Sequence, residues 1–138
     1  MRFFEQVHGV YFDDLDAFQI LHNARYLLLM ERTIGEFWQK MDWGSLLDPE
    51  RNPDQYYVVA ANQVDYHRPV IGVGRVRCRI WVERLGRSSM TFGFSVLPAD
   101  EDQPYATGTR AVVKVDPESR RPVPWTEAFR DALQPYRL

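Results

Sequence analysis

The sequence predicts an α+β domain in which one long helix lies across a curled antiparallel sheet of about five strands, followed by a short C-terminal helix. Two observations lead to this prediction. A single long amphipathic pattern follows the first strand-like segment, and four further strand-like segments then follow one another. A helix with so many large apolar side chains needs a broad apolar surface to cover it, which a curled sheet provides. The 138 residues suit a single domain, spanning residues 1–138.

The first strand and the long helix show different periodicities of apolar residues. Residues 3–12 alternate approximately and predict a strand. From Asn23 to about Met41, apolar side chains recur at three- and four-residue spacing, which is typical of an amphipathic helix. We therefore expect a helix roughly 27 Å long whose apolar stripe packs on the sheet. Residues 42–55 predict a loop, with one short helical turn over residues 44–47.

Four alternating segments then predict four strands. They are residues 57–67, 73–83, 89–97 and 105–116. Short connections that contain Pro or Gly join them, which predicts serial hairpins and an antiparallel sheet. In the last strand the alternation places Ala111 and Val113 toward the core. Arg110 and Lys114 then face solvent, as charged side chains usually do.

The C-terminal segment predicts a short helix over residues 125–133. Proline residues precede it, and proline near a helix start fits its fixed φ angle. Trp125, Phe129 and Leu133 then form one apolar stripe, which we expect to pack against the core.

Composition and charge argue against several classes of function. The net charge of −2 gives no global electrostatic attraction for nucleic acid or an anionic membrane. The one cysteine allows neither an intrachain disulfide nor a cysteine-built metal site. No apolar run has the length of a membrane span, and the N-terminus lacks the apolar run of a signal peptide. We therefore expect a reduced, cytoplasmic protein without a metal, a cofactor or a nucleic-acid partner.

A short stretch between the first strand and the helix carries the candidate chemistry. Asp13, Asp14 and Asp16 place three carboxylates within four residues, and His22 and Asn23 lead into the helix. The start of a helix presents unpaired N–H groups and a partial positive charge, which favour a developing anion. The same residue types also cap helices and form turns, so the spacing alone favours a capped turn over a catalytic site.

Several local motifs occur in a fixed order along nearly the whole chain. They are Asp14-Leu15-Asp16, His22-Asn23-Ala24-Arg25-Tyr26, Asp65-Tyr66-His67-Arg68-Pro69, Leu85-Gly86-Arg87-Ser88-Ser89, Ala106-Thr107-Gly108, Val115-Asp116 and the run from Arg121 to Pro124. Together with the order of elements, these motifs resemble the hotdog-fold acyl-CoA thioesterases of the 4-hydroxybenzoyl-CoA thioesterase type. The chain is also similar to the acyl-carrier-protein thioesterases of plants.

The resemblance implies a hotdog fold and hydrolysis of a thioester by a loop carboxylate, here Asp16, as nucleophile or as general base for water. It also implies that a backbone N–H at the start of the long helix, by position that of Asn23, polarises the thioester carbonyl. The plant-type enzymes use a histidine and an asparagine at the positions of Ile20 and Phe18, so their constellation is not intact in this chain. His22 either substitutes for that histidine in part, caps the helix or contacts a partner chain.

The resemblance further implies an acyl-CoA or acyl-carrier-protein thioester as substrate and no cofactor. The residues that we expect to contact the substrate are Phe18, Tyr26, His67, Arg87, Ser88 and Ser89. Hotdog sheets pair edge to edge with the active site between subunits, so we expect a homodimer or a homotetramer. Two alternatives stay open at this point. One is a non-enzymatic acyl-CoA binding or sensing module, and the other is a hotdog dehydratase or hydratase, for which the loop histidine is missing.

Overall fold

The computed structural model of the protein describes residues 2–43 and 48–138. The helical turn expected over residues 44–47 lies outside the described residues. Within them the chain forms a five-stranded sheet, one long helix and one short helix, with single 3-10 turns at Phe12–Asp14, Pro53–Gln55 and Gln134–Tyr136. The α+β architecture that the sequence predicts is confirmed.

Five antiparallel strands form the sheet. They are β1 (Phe4–Val10), β2 (Tyr57–Tyr66), β3 (Gly74–Leu85), β4 (Ser89–Pro98) and β5 (Ala106–Lys114). Their order across the sheet is β1-β3-β4-β5-β2, so β1 and β2 are the two edges. The predicted hairpins β3–β4 and β4–β5 are confirmed.

The predicted hairpin between β2 and β3 is wrong, because β2 pairs with β5 at the edge opposite β1. The segment that connects β2 to β3 bonds instead to the loop after β1. The Val70 carbonyl accepts a hydrogen bond from Leu21 N–H at 2.9 Å, and Gly72 N–H donates to the Gln19 carbonyl at 2.9 Å. These bonds hold the connection across one end of the sheet while it passes from one edge toward the other. The loop after β1 and the end of β2 therefore meet.

The long helix α1 (Arg25–Lys40) lies across the inner face of the sheet. It starts two residues later than the apolar pattern indicates, and its 16 residues span roughly 24 Å. Its buried residues are Tyr26, Leu29, Met30, Thr33, Ile34 and Phe37. The inward residues of β3 and β4 form one core with these helix residues, as the alternation predicts. They are Val76, Cys78, Ile80, Val82, Met90, Phe92, Phe94 and Val96. Each large apolar side chain buried in this way stabilises the fold by about 1.5–3 kcal/mol.

Strand β5 turns the opposite face toward the core from the one predicted. Its buried residues are Ala106, Arg110, Val112 and Lys114, whereas Ala111 and Val113 are only half-buried. The two inward cations have partners from distant segments. Lys114 Nζ donates to Asp54 Oδ1 at 2.9 Å, and Arg110 Nε donates to Asn62 Oδ1 at 2.9 Å. These partners offset the cost of burying the charges, and a single-strand pattern does not reveal them.

The C-terminal helix α2 (Glu127–Leu133) packs its apolar stripe on the core. The Thr126 hydroxyl caps it by accepting a hydrogen bond from Phe129 N–H at 3.2 Å. Trp125, Phe129 and Leu133 are buried, as predicted. In the two described ranges of the chain, no helix has the length and apolar character needed to cross a membrane.

Candidate active site

Asp14 holds the loop between β1 and α1 in shape. Its Oδ2 accepts a hydrogen bond from Tyr11 N–H at 2.8 Å, and its carbonyl accepts one from His22 N–H at 3.0 Å. Its carboxylate also lies 3.8 Å from the Arg25 guanidinium. Asp13 is exposed, and its carboxylate has no partner within residues 2–43 and 48–138. Asp14 therefore orders the loop, as local hydrogen bonding by aspartate commonly does, and Asp13 only adds charge at its surface.

A tight turn fixes the orientation of Asp16. Its Oδ1 accepts hydrogen bonds from Phe18 N–H at 2.8 Å and from Ile20 N–H at 3.4 Å. Gln19 closes the turn with a φ angle of 62°, in the left-handed region. No donor among the described residues reaches the second carboxylate oxygen, Oδ2. The carboxylate thus has one oxygen anchored by the loop and one available to a ligand.

One backbone N–H group just before α1, that of Asn23, has no acceptor among the described residues. Arg25 N–H donates to the His22 carbonyl at 2.9 Å, and Ala24 N–H donates to His22 Nδ1 at 3.1 Å. From the edge of the sheet, the Tyr66 hydroxyl donates to the Asn23 carbonyl at 2.9 Å. In the part of the chain that the structure describes, no acceptor pairs with Asn23 N–H. The groups around this donor are therefore engaged, while the donor itself can meet a ligand.

An open cavity of about 430 Å³ lies where the loop, the start of α1 and the end of β2 meet. It brings together five residues that the sequence singled out: Asp16, His22, Asn23, Tyr26 and His67. The available oxygen of the Asp16 carboxylate and the unpaired Asn23 N–H thus belong to residues that line one cavity. A carboxylate beside an amide donor at a helix start is suited to chemistry in which an oxyanion develops.

Four of the predicted substrate-contacting residues lie elsewhere in a single chain. Phe18 is 84% exposed on the loop and does not line the cavity. Arg87 and Ser88 lie in the turn between β3 and β4, and Ser89 begins β4. All three are at the far end of β3, roughly 36 Å along the strand from its start near the cavity. The Arg87 carbonyl accepts a hydrogen bond from Trp125 N–H at 3.0 Å. Their contact with the substrate stays a prediction.

Two residues of the cavity, Tyr66 and Arg68, were not among those that the sequence singled out. The Arg68 guanidinium lies 4.7 Å from the centroid of the Tyr105 ring and pairs with the Glu101 carboxylate. Its Nε is buried without a partner among the described residues. Both residues belong to the motif at residues 65–69, which marks the end of a strand. Alternation does not show that this strand end meets the start of the helix.

Tyr26 and His67 are held by contacts within the chain. His67 Nε2 lies 2.8 Å from Thr107 Oγ1. Burial raises the pKa of the Tyr26 hydroxyl above its ordinary value, although a hydrogen bond with the backbone of Val70 opposes the shift. Tyr26 is therefore neutral at physiological pH and adds no charge to the cavity.

A larger cavity, of about 540 Å³, lies at the other end of α1, but its buried carboxylate is already satisfied. Its buried carboxylate, Asp54, accepts hydrogen bonds from Lys114 Nζ at 2.9 Å and from Thr126 N–H at 2.8 Å. The Thr126 hydroxyl also donates to Asp54 Oδ2 at 2.6 Å. The cavity at the start of α1 is the better candidate because it combines an available oxygen of a loop-anchored carboxylate with a backbone donor at a helix start.

Comparisons with known proteins agree with this fold. The profile of the Thioesterase superfamily matches residues 18–105, which include the end of the loop before α1, α1 itself and strands β2, β3 and β4. The uncharacterized protein YsmA of Bacillus subtilis (strain 168) is 28% identical over 131 residues, which cover 95% of this chain and 84% of YsmA.

Solved structures share the fold over nearly their whole length. A predicted thioesterase from Bacillus stearothermophilus superposes with a TM-score of 0.82 at 19% identity, covering 99% of this chain and 98% of that one. A thioesterase from Thermus thermophilus, solved with coenzyme A and zinc, superposes with a TM-score of 0.78 at 30% identity, covering 96% and 92% of the two chains.

The chain therefore belongs to the Thioesterase superfamily, has the hotdog fold and is a thioester hydrolase. The hotdog fold and the thioester hydrolase class that the sequence motifs imply are confirmed. In residues 2–43 and 48–138, no three His, Cys, Asp or Glu side chains are grouped so as to hold a metal ion.

Proposed function

We propose that the protein hydrolyses acyl-CoA thioesters in the cavity at the start of α1, with Asp16 as the catalytic carboxylate. The single observation that carries the proposal is that an available carboxylate oxygen and an unpaired N–H belong to two residues of one cavity. Coenzyme A as the thiol carrier is supported by the Thermus thermophilus thioesterase, which was solved with that molecule.

Asn23 N–H is proposed to donate a hydrogen bond to the thioester carbonyl oxygen. That oxygen gains negative charge when the carbonyl carbon is attacked, and a donor already oriented at a helix start needs little reorganisation to stabilise it. Loss of one such donor typically lowers kcat by about 10²–10³-fold. A side-chain substitution cannot remove this backbone donor, so its contribution is tested through the residues that hold it.

Asp16 is proposed to act by one of two routes. As a nucleophile, its Oδ2 attacks the carbonyl carbon, the CoA thiolate leaves, and water then hydrolyses the mixed anhydride. As a general base, the same oxygen takes a proton from water while the water oxygen attacks the carbonyl carbon; the tetrahedral intermediate then breaks its C–S bond, and the CoA thiolate leaves and takes up that proton. The hydrogen bonds to Oδ1 keep Oδ2 in one orientation on either route.

The test compares wild type with Asp16→Asn and Asp16→Ala on a panel of acyl- and aryl-CoA thioesters, with a dye that traps the released thiol. Cys78 is fully buried, so the dye reports free CoA rather than the protein thiol. Asp13→Asn is the matched control, because Asp13 carries a carboxylate in the same loop without a partner among the described residues. We expect Asp16→Asn to lower kcat/KM by about a thousandfold or more, and the control to leave it unchanged.

Two outcomes would redirect the proposal. Equal hydrolysis by wild type and a folded Asp16→Asn variant would show that Asp16 is not the catalytic group. Tight acyl-CoA binding without turnover by wild type would favour a binding or sensing module. A single turnover in ¹⁸O-labelled water tests the nucleophilic route, because label in the Asp16 carboxylate arises only when water attacks the Asp16 carbonyl carbon of a mixed anhydride.

A second copy of the chain is proposed to pair along the open edge of β2. Val58 and Val59 are 49% and 46% exposed there. Antiparallel pairing of two β2 edges places the β3–β4 turn of one copy at the end of the sheet where the cavity of the other lies. The Arg87, Ser88 and Ser89 side chains would then reach the substrate from the second copy.

Light scattering after size-exclusion chromatography tests this assembly at micromolar concentration. We expect the mass of a dimer or a tetramer. A monomer that retains full hydrolytic activity would show that the cavity is complete in one chain. In that case the three turn residues would have no part in binding the substrate.

A further inference from the structure

We propose that Tyr66 is a positioning residue that sets the orientation of the Asn23 N–H through a hydrogen bond from its hydroxyl to the Asn23 carbonyl. This inference rests on the proposed function, because it assigns Tyr66 a part in stabilising the oxyanion. The bond is 2.9 Å long and joins the last residue of β2 to the turn before α1, 43 positions earlier in the chain.

His22, Asn23 and Ala24 form the turn before α1. Among the described residues, the hydrogen bond from Tyr66 is the only hydrogen bond that joins this turn directly to a strand of the sheet. The other bonds around Asn23 are local to the loop. His22 N–H donates to the Asp14 carbonyl, and Arg25 N–H donates to the His22 carbonyl. A turn held only by its own neighbours can shift as a unit, whereas a bond to a sheet strand fixes it relative to the core.

The ring of Tyr66 is itself fixed by packing. It meets the Tyr26 ring edge to face, with centroids 5.0 Å apart and an interplanar angle of 81°. Tyr26 is 3% exposed and lies in the first turn of α1, so the Tyr66 hydroxyl is presented from a rigid support. Removal of the hydroxyl alone therefore changes one hydrogen bond and leaves the ring contact in place.

The hydroxyl matters more for rate than for stability. Tyr66 is 51% exposed, so water can replace its hydroxyl at the Asn23 carbonyl with little effect on folding. Water does not hold the turn against the sheet, however, and a misplacement of about 1 Å in a catalytic group can lower the rate by about 10²-fold. Loss of the hydroxyl should therefore lower the catalytic rate while leaving the stability of the fold nearly unchanged.

The test is Tyr66→Phe in the full chain, with Tyr56→Phe as the matched control. Tyr56 precedes β2 at its other end, away from the cavity, and its side chain makes no hydrogen bond within the described residues. We expect Tyr66→Phe to lower kcat by about tenfold to a hundredfold, with KM and the melting temperature close to wild type. Tyr56→Phe should retain the wild-type kcat.

A second readout does not depend on turnover. The amide resonances of Asn23 and Ala24 are compared between wild type and Tyr66→Phe by NMR, because the Ala24 N–H shares a peptide unit with the Asn23 carbonyl. We expect both resonances to move and their hydrogen exchange to quicken. Unmoved resonances would overturn the positioning role, whatever the activity.

The kinetic outcomes separate this inference from the proposed function. If Asp16→Asn is inactive and Tyr66→Phe keeps the wild-type kcat, Tyr66 does not position the donor, although the function stands. If Asp16→Asn hydrolyses as fast as wild type, the assignment of Asp16 fails, and the NMR comparison alone decides the role of Tyr66. A rise in KM with unchanged kcat would make Tyr66 a substrate contact instead.

Discussion

Replacement of Lys114 by methionine is expected to lower the free energy of unfolding by about 3 kcal/mol. The Lys114 and Asp54 side chains are only 6% and 7% exposed, and Nζ lies 2.9 Å from Asp54 Oδ1. Breaking a buried pair by removing one partner costs about 3–5 kcal/mol, because it leaves a buried charge uncompensated. Asp54 keeps two donors from Thr126, and methionine retains most of the apolar stem of lysine, so the lower end of that range applies.

Urea denaturation and thermal unfolding measure this cost. For a domain of 138 residues, about 3 kcal/mol corresponds to a fall of roughly 10 °C in the melting temperature. Lys40→Met is the matched control, since Lys40 is the other lysine of the chain and is exposed, with its Nζ 5.6 Å from the centroid of the Phe4 ring. We expect the control to cost less than about 1 kcal/mol.

Equal losses of stability in the two lysine variants would refute the claim that Lys114 is a buried, paired charge. A Lys114→Met variant no less stable than Lys40→Met would mean that Lys114 faces solvent, as the alternation of β5 alone suggests. The double variant Lys114→Met with Asp54→Leu should recover part of the loss, because it removes the uncompensated charge as well. The recovery is incomplete because Thr126 N–H then loses its acceptor.

Three further perturbations have defined outcomes. Burial, and then nearby Arg32, lower the pKa of His8 below its ordinary 6.5, so the unfolded chain binds the proton more readily than the folded one. The free energy of unfolding, measured by urea denaturation, should therefore be full above about pH 6.5 and fall as the pH drops below it. A His8→Gln variant should lack this pH dependence. A Cβ at Gly93 would lie 2.3 Å from the Trp81 ring, so Gly93→Ala should cost about 2 kcal/mol in thermal unfolding, and Trp81→Ala in the same background should relieve the clash. His22→Ala removes the acceptor for a helix-start N–H and should cost about 1 kcal/mol of stability; a loss of kcat as large as that of the Asp16 variants would instead make His22 catalytic.

Local patterns are sufficient to predict most of the elements. The spacing of apolar residues predicts α1 and the inward faces of β3 and β4, because burial on one side leaves a period of 3.6 or 2 in the sequence itself. The resemblance of the loop motifs to those of the thioesterases likewise singles out Asp16 and Asn23, which do line one cavity. Each of these features depends on residues that are close together in the chain.

The errors have one physical origin, which is interaction across long separations in sequence. A strand carries no local mark of its partner, so serial alternation places β2 beside β3 although it pairs with β5. An inward lysine or arginine looks like a solvent-facing residue until a distant carboxylate or amide is found for it, as Asp54 is for Lys114. The turn residues Arg87, Ser88 and Ser89 illustrate the same limit, because their distance from the cavity follows from the fold alone.

The sequence by itself determined the fold class and the long apolar helix, because periodicity is a local property, and its motifs single out Asp16 as the candidate carboxylate. Only the tertiary structure decided which face of β5 is buried and where β2 lies in the sheet. It also decided that the end of β2 meets the start of α1, where Tyr66 bonds to the Asn23 carbonyl. The physical reason is that these contacts join segments tens of residues apart, and their free energy appears only when the whole sheet has formed.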